Sequence, residues 1–332
     1  MFDTLKKVLA PIGPSGMEGP VAAVIREELQ GYVDGFATDA MGNLICVKQG
    51  KGENPRRIML SAHMDHIGFV VTGIEKEGFL RVTNVGGVGL NTTLTRHVVF
   101  PNGVHGVVVS EPVEGARTMK HMFIDIGAQD KEDALKMVQL GDMAVFAPDC
   151  FRLGENRVGS PAMDDRCACA LLVKLMQTLG DTKDTVMAVF SVQEEVGCRG
   201  AFGAAFHLQP GVAVVVEGTT AADGPASAGA RKVCLPGRGP VVPFQDGGTI
   251  YDRGLFEQIT RLADAHGIPW QTKTMLSGGT DAQAIQRTRA GCRVAAISAA
   301  VRYIHSTSCV GCTRDFEQMA ALLRLLLADM EV

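Results

Sequence analysis

The sequence has no apolar run approaching the ~18 residues that would suggest a membrane span. It has no basic surplus either. The net charge is -4, and a mildly acidic chain offers no general field to draw nucleic acid. The first residues, Met1-Phe2-Asp3-Thr4-Leu5-Lys6-Lys7, lack the apolar core of a secretion signal. A disulfide framework is missing too. The 9 cysteines are odd in number and scattered, so they read as free thiols of a reducing compartment. These absences predict a cytoplasmic protein that binds neither membrane nor nucleic acid. No internal repeat or low-complexity segment breaks the chain.

What is present is ordinary globular material: 332 residues, 46% hydrophobic and 20% charged, enough for two domains and a full core. Val21, Val24, Ile25 and Leu29 share one face at helical spacing and predict a helix over about 17–31. Ala168, Leu171, Leu172, Leu175, Met176 and Leu179 predict a second, with Gly180 as its C-cap. Phe316, Met319, Ala320, Leu323 and Leu327 predict a third. Short apolar runs at 58–61, 186–192, 212–216 and 294–297 read as buried strands. Strands alternating with helices predict an α/β fold, a mostly parallel sheet with helices on both faces.

Residues 69–157 have a different texture, with short alternating segments broken by glycine. Pro101-Asn102-Gly103 reads as a hairpin turn between strands at 98–100 and 107–109, and one helix is expected around 131–139. This predicts a small β-rich, barrel-like domain inserted into a discontinuous main domain of residues 1–68 and 158–332.

Chemistry concentrates in four clusters and one late histidine. The clusters are Ser61-Ala62-His63-Met64-Asp65-His66, Met163-Asp164-Asp165-Arg166, Gln193-Glu194-Glu195-Val196-Gly197 and Glu217-Gly218-Thr219; the histidine is His305. His63, Glu194, Glu195, Glu217 and His305 follow predicted strands, and Asp164 opens a predicted helix. In open α/β sheets, ligands bind at the carboxyl ends of the strands, so these residues are expected to converge. Singly, each has a structural reading: Asp164 as a helix N-cap, Glu194-Glu195 as a solvated pair. Carboxylates directly after very apolar strands need a further reason, because buried like charges are costly. Two imidazoles and several carboxylates suit Zn²⁺ or a similar divalent ion. A carboxylate shared by two ions is the arrangement of two-metal hydrolysis. On extended chain, adjacent Glu194 and Glu195 would point in opposite directions and do different jobs.

The order of these motifs resembles the tetrahedral (TET) aminopeptidases, metallopeptidase family forty-two, some members of which carry an endoglucanase name. The resemblance also runs through Gly13-Pro14-Ser15-Gly16-Met17-Glu18, Asp39-Ala40-Met41-Gly42-Asn43-Leu44 and Phe123-Ile124-Asp125-Ile126-Gly127-Ala128. It continues in Gly237-Arg238-Gly239-Pro240 and Gly278-Gly279-Thr280-Asp281-Ala282. It implies a zinc-exopeptidase-like fold and an enzyme that removes N-terminal residues from peptides, with two divalent ions per chain (Zn, Co or Mn). By resemblance, His63 and Glu195 bind one ion, Glu217 and His305 the other, and Asp164 bridges them. Glu194 is the general base that takes a proton from the attacking water, and Asp65 orients His63. The inserted segment matches a dimerisation domain, which implies a homo-oligomer of dimers building a dodecamer.

Three positions depart from the pattern. Glu217 stands where the family often has Asp, one methylene longer with the same charge. His66 stands where many members have Glu. Beyond His305, Cys309 and Cys312 form a lone Cys-x-x-Cys, which alone is a weak sign of a zinc knuckle or redox pair. Two other readings are a glycosidase working through paired carboxylates, which needs neither histidine nor metal, and a non-catalytic assembly protein of the same fold.

Overall fold

The computed structural model describes residues 1–225, 227, 232–273, 275 and 278–331. The chain opens with helices α1 (Phe2–Leu9) and α2 (Gly19–Leu29), then strands β1 (Gly35–Thr38), β2 (Leu44–Lys48) and β3 (Arg57–His63). It then leaves the sheet for β4 (Gly68–Ile74), β5 (Leu80–Val85), α3 (Leu90–Thr93), β6 (His97–Val99) and β7 (His105–Ser110). The excursion continues with β8 (Met122–Asp125), α4 (Lys131–Met137) and β9 (Met143–Phe146). The return runs through β10 (Phe151–Leu153), β11 (Arg157–Ser160), α5 (Met163–Thr178), β12 (Thr185–Ser191), α6 (Arg199–Leu208) and β13 (Val212–Thr220). The last elements are α7 (Arg253–Ala265), α8 (Ala282–Gln286), β14 (Arg293–Val301), β15 (Cys309–Cys312) and α9 (Thr313–Ala328).

The main sheet is mixed, in the order β1-β2-β12-β3-β13-β14. Strands β12, β3, β13 and β14 run parallel, while β1 and β2 form an antiparallel edge. Alternation of side chains across the pleat separates two cores. Ile58, Leu60, Val214 and Ile297 face a layer built from α1, α2, α5, α7 and α9. Met59, Val189, Val215 and Ala296 face the opposite layer, where α6 and α8 contribute Ala201, Ala204, Ala205 and Ile285. Both faces being covered explains why these strands read as continuous apolar runs.

Strands β4-β5-β8-β7-β6-β9 close into a barrel with its own core around Phe69, Leu80, Val98, Ile124 and Phe146. The hairpin expected at Pro101-Asn102-Gly103 joins β6 to β7, which pair antiparallel. Strand β10 pairs with β11, and β11 with β15, outside the barrel. The expected C-cap at Gly180 is not found. Helix α5 ends on Leu179 in extended conformation, and Gly180 is not left-handed.

Candidate metal centre

The four parallel strands end on one edge, and that edge carries the site. His63 is the last residue of β3, Glu217 lies in the C-terminal half of β13, and Glu194 and Glu195 follow β12. Asp164 reaches them from α5, whose first turn is irregular: Asp164 (φ -87°, ψ 110°) and Asp165 (φ -119°, ψ 28°) are both non-helical, so Asp164 does not act as a simple cap. His305 arrives from the turn after β14 with φ +60°.

Ligand atoms of His63, Asp164 and Glu217 all lie within 4.8 Å of one another, and so do those of Asp164, Glu195 and His305. Asp164 belongs to both groups. One oxygen lies 3.5 Å from His63 Nε2 and the other 3.4 Å from His305 Nε2. His305 Nε2 also lies 3.3 Å from Glu195 Oε2. This corrects the pairing expected from the resemblance, because His63 groups with Glu217, and Glu195 with His305. Sheet order alone does not decide this, since β3 is flanked by both β12 and β13. Glu217 lies within β13 itself, whereas Glu195 lies beyond the end of β12 at Ser191, in a turn that carries it to Asp164 and His305.

Nor is the Glu194–Glu195 pair on extended chain. It lies in a turn closed by Gly197 N–H donating to the Glu194 carbonyl at 2.9 Å. The two side chains still diverge. Glu195 joins Asp164 and His305, while Glu194 groups with Cys198 and Asp281 and places one oxygen 3.9 Å from His63 Nε2.

Asp65 fixes this geometry. Its carboxylate accepts from Ser15 Oγ (2.6 Å) and from the backbone N–H groups of Glu194 (3.0 Å) and Glu195 (3.1 Å). His63 Nδ1 contacts the Asp65 carbonyl at 3.0 Å and its carboxylate at 3.4 Å, which turns Nε2 toward the cluster. Gly87 packs against His305 so closely that a Cβ would lie 2.8 Å from Nδ1, so the barrel's base helps seat this side chain. The cleft encloses about 390 Å³ and is also lined by Thr219, Asp246, Lys273, Gly278, Gly279 and Thr280. A larger groove of about 710 Å³ between residues 10–12 and the barrel touches none of the clustered ligands.

The sequence profile of M42 glutamyl aminopeptidases matches residues 42–322. The chain belongs to this M42 family. It is similar to a presumed aminopeptidase of Acetivibrio thermocellus, 40% identical over 97% of each chain. Among solved structures it resembles aminopeptidase APDkam598 from the archaeon Desulfurococcus kamchatkensis, with a TM-score of 0.95 and 33% identity over 99% of this chain and 94% of that one. It also resembles the Pyrococcus horikoshii TET1 peptidase, which can assemble into a tetrahedron or a large octahedral shell, with a TM-score of 0.87 and 32% identity over 99% of both chains. This M42 chain is a metal-dependent aminopeptidase, a peptide hydrolase.

The residues present fit a metal. His63 Nε2, Asp164 Oδ1 and Glu195 Oε1 are buried and take no hydrogen bond among the described residues. Buried polar atoms are otherwise almost always paired, and all three residues belong to the two clustered groups. The electrostatics agree. With the protein's own charges alone, burial pushes Glu194 up to about 8 against the pull of His63, with Asp281, Glu195 and Asp164 adding repulsion. Burial and the charges of Glu194 and Asp165 hold Glu217 well above the usual range. Burial works against Asp164 too, yet its contacts with His305 and His63 hold it down to about 2. Burial opposes charge on His305, but Asp164 and Glu195 raise it to about 10. Divalent cations would relieve this crowding of buried carboxylates.

Some structural partners of the site escaped the sequence reading. Asp165, fully buried, accepts from His63 N–H (3.2 Å) and Gly218 N–H (2.9 Å), tying β3 to β13. Its only signal was adjacency to Asp164. Arg166, also fully buried, donates to the carbonyls of Met64, Val8, Pro11 and Gly13 and anchors the N-terminal segment beneath the site. Asp281 accepts from Ser191 and Ser61 and so fixes the start of α8. His66 lies in neither ligand group; burial and the Arg166 charge hold it well below its usual value, and its backbone bridges that of Pro14. Cys309 and Cys312 lie on β15 and join no metal-binding group among the described residues.

Proposed function

We propose that this M42 enzyme is a two-metal aminopeptidase. His63, Asp164 and Glu217 would hold one divalent ion, and Asp164, Glu195 and His305 the other. The observation that carries this reading is the trio of unpartnered buried atoms on His63, Asp164 and Glu195, three residues of one cluster. Bound ions supply Lewis acidity, polarising a carbonyl and acidifying water. Zn²⁺, Co²⁺ and Mn²⁺ all suit the ligand set. Glu194 accepts the proton of the attacking water at a carboxylate oxygen and returns it to the departing amine. Cys198 Sγ–H donates to Glu194 Oε1 at 3.3 Å and leaves the other oxygen toward His63. Carboxylates around the ions favour a free amino terminus, which limits cutting to the first residue of a peptide. Asp65 acts through His63 and the backbone of Glu194 and Glu195.

Residues 69–157 form, in this reading, an inserted dimerisation domain within a main domain of 1–68 and 158–332. Dimers then build a larger shell, most simply a dodecamer, because the similar TET1 peptidase assembles into a tetrahedron. The compartment proposed is the cytoplasm; no helix among the described residues is long and apolar enough to cross a membrane.

The test combines elemental analysis, turnover of aminoacyl chromogenic substrates and light scattering. Two ions per chain are expected, with activity abolished by a chelator and restored by Zn²⁺, Co²⁺ or Mn²⁺. Full activity in protein shown to hold no metal would refute the two-metal reading. A monomer at micromolar concentration with metals bound would refute the assembly.

A further inference from the structure

The segment that carries the catalytic carboxylates has no regular structure of its own. Strand β12 ends at Ser191, and α6 begins at Arg199. Between them, the N–H groups of Val192, Gln193, Glu194 and Glu195 are each taken by a side-chain oxygen from elsewhere in the chain. Val192 donates to Asn43 Oδ1 (3.0 Å), Gln193 to Glu18 Oε1 (3.0 Å), and Glu194 and Glu195 to the two oxygens of Asp65. Gln193 has φ +57°, a left-handed conformation that is unfavourable for a side-chain-bearing residue. A conformation of that kind persists only where the surroundings impose it.

The imposing groups are themselves held. Glu18 is 4% exposed, and its Oε1 also accepts from Gly16 N–H at 2.7 Å. Asn43 is fixed by Asp39, whose Oδ1 accepts from the N–H groups of Met41, Gly42 and Asn43. The Asn43 amide donates in turn to the Gly200 carbonyl at 3.0 Å. A Cβ at residue 200 would meet Asn43 Oδ1 at 2.3 Å, so only glycine lets Asn43 in. Both motifs near the N-terminus, 13–18 and 39–44, therefore end on the same four amides.

We propose that Glu18 is a positioning residue for Glu194. By holding the Gln193 amide in its left-handed turn, it aims the Glu194 carboxylate at the attacking water without touching substrate or metal. This rests on the reading of Glu194 as the general base. Glu194 follows Gln193 directly, whereas Glu195 lies one residue further on with its N–H also held by Asp65, so the shift on losing Glu18 falls mainly on Glu194 and spares the metal ligands. Misplacing a reacting group by about 1 Å can cost about 10²-fold in rate.

The experiment uses the metal-loaded enzyme and four variants: Glu18→Ala, Glu18→Gln, Glu194→Gln and the double variant Glu18→Ala/Glu194→Gln. Metal content, thermal unfolding, kcat and KM are measured on each. Glu18→Ala is expected to lower kcat by about 10- to 100-fold, with KM and both metals retained. Glu18→Gln, whose amide oxygen accepts from the same two N–H groups, should recover most of the loss. In the double variant, kcat should fall no further than in Glu194→Gln alone, because the two residues act as one unit. Wild-type kcat in Glu18→Ala overturns the proposal. So does loss of metal in that variant, an equal fall in both backgrounds, or failure of Glu18→Gln to rescue. If Glu18→Ala does not fold, Glu18→Asp, which keeps the charge and shortens the reach, must show the same selective fall in kcat, and a wild-type kcat there overturns the proposal. Wild-type turnover in Glu194→Gln alone points instead to a wrong choice of general base, whatever Glu18 does.

Discussion

The barrel and the carboxyl edge of the main sheet bury opposite kinds of side chain. Inside the barrel, the fully buried residues include Phe69, Leu80, Val98, Val108, Met122 and Ile124. Its charged groups pair near the surface, as Arg81 does with Glu75 and Glu111. At the sheet edge, the buried residues include His63, Asp65, Asp164, Asp165 and Glu217. Burial stabilises the first region, since apolar area leaves water. It burdens the second, since charge leaves water and neighbours of like sign repel. A fold keeps such a burden where the groups do chemistry, so the contrast separates the part that holds this enzyme together from the part that works.

The largest effect expected from breaking that contrast lies at Glu194. Glu194→Gln keeps the shape but cannot take a proton as a carboxylate does. Turnover should fall by about 10²–10⁴-fold while both metals stay bound. Glu195→Gln should instead lose metal, because a neutral amide is a poorer ligand. Metal analysis and turnover on both purified variants check the division. Metal loss in Glu194→Gln with full occupancy in Glu195→Gln would reverse the assignment.

A barrel substitution should do the reverse. Ile124 is fully buried in the barrel core. Ile124→Ala is expected to cost about 2–5 kcal/mol of stability by leaving a cavity. The folded fraction should keep its turnover per metal-loaded site. Denaturant unfolding and turnover at a temperature where the variant is folded provide the check. A tenfold loss of kcat in folded protein would mean the barrel contributes to catalysis beyond seating His305.

Much of this was legible in the sequence because period and order leave direct marks. The helical stripe 168–179 and the apolar runs at 58–61 and 212–216 became α5, β3 and β13, since each buries what its spacing says it should. His63, Glu217 and Asp164 could be expected to meet because parallel strands end on one edge. What the sequence left open was the lateral order of the strands. The mixed edge formed by β1 and β2 was hidden for that reason. The turn after β12 left no periodic mark either, and it carries Glu195 to Asp164 and His305, so the grouping in space differs from the pairing of His63 with Glu195 that the resemblance implied. Glu18 and Asn43 left no periodic mark, because each acts through one hydrogen bond to an amide more than a hundred residues away.

The smallest expected effect sharpens the comparison within a single strand. β12 carries a buried carboxylate just before it, Asp184, at the edge opposite Glu194. Asp184 has what Glu194 lacks, a guanidinium. Its Oδ1 accepts from Arg56 N–H and Nε–H, both at 3.0 Å, and its Oδ2 accepts from Arg56 Nη2. The Arg56 bond, against a smaller cost of burial, holds Asp184 below the ordinary value of 3.8. A depressed carboxyl contributes stability above its unfolded value and loses it as pH falls through the folded one. Glu194, raised to about 8, does the opposite: its contribution is complete below about 4.5 and lost as pH rises toward 8. Asp184→Asn should therefore cost about 1.5–3 kcal/mol at pH 7, and the difference from wild type should shrink as pH falls below 3.8. Glu194→Gln in chelator-treated protein should gain stability relative to wild type as pH rises from 5 to 8. Denaturant midpoints from about pH 3 to pH 8 test both signs, Asp184 below 3.8 and Glu194 above 4.5. If both variants drift the same way with pH, the two ends of β12 do not differ in the manner argued, and the burial of Glu194 carries no cost that a bound cation would need to offset.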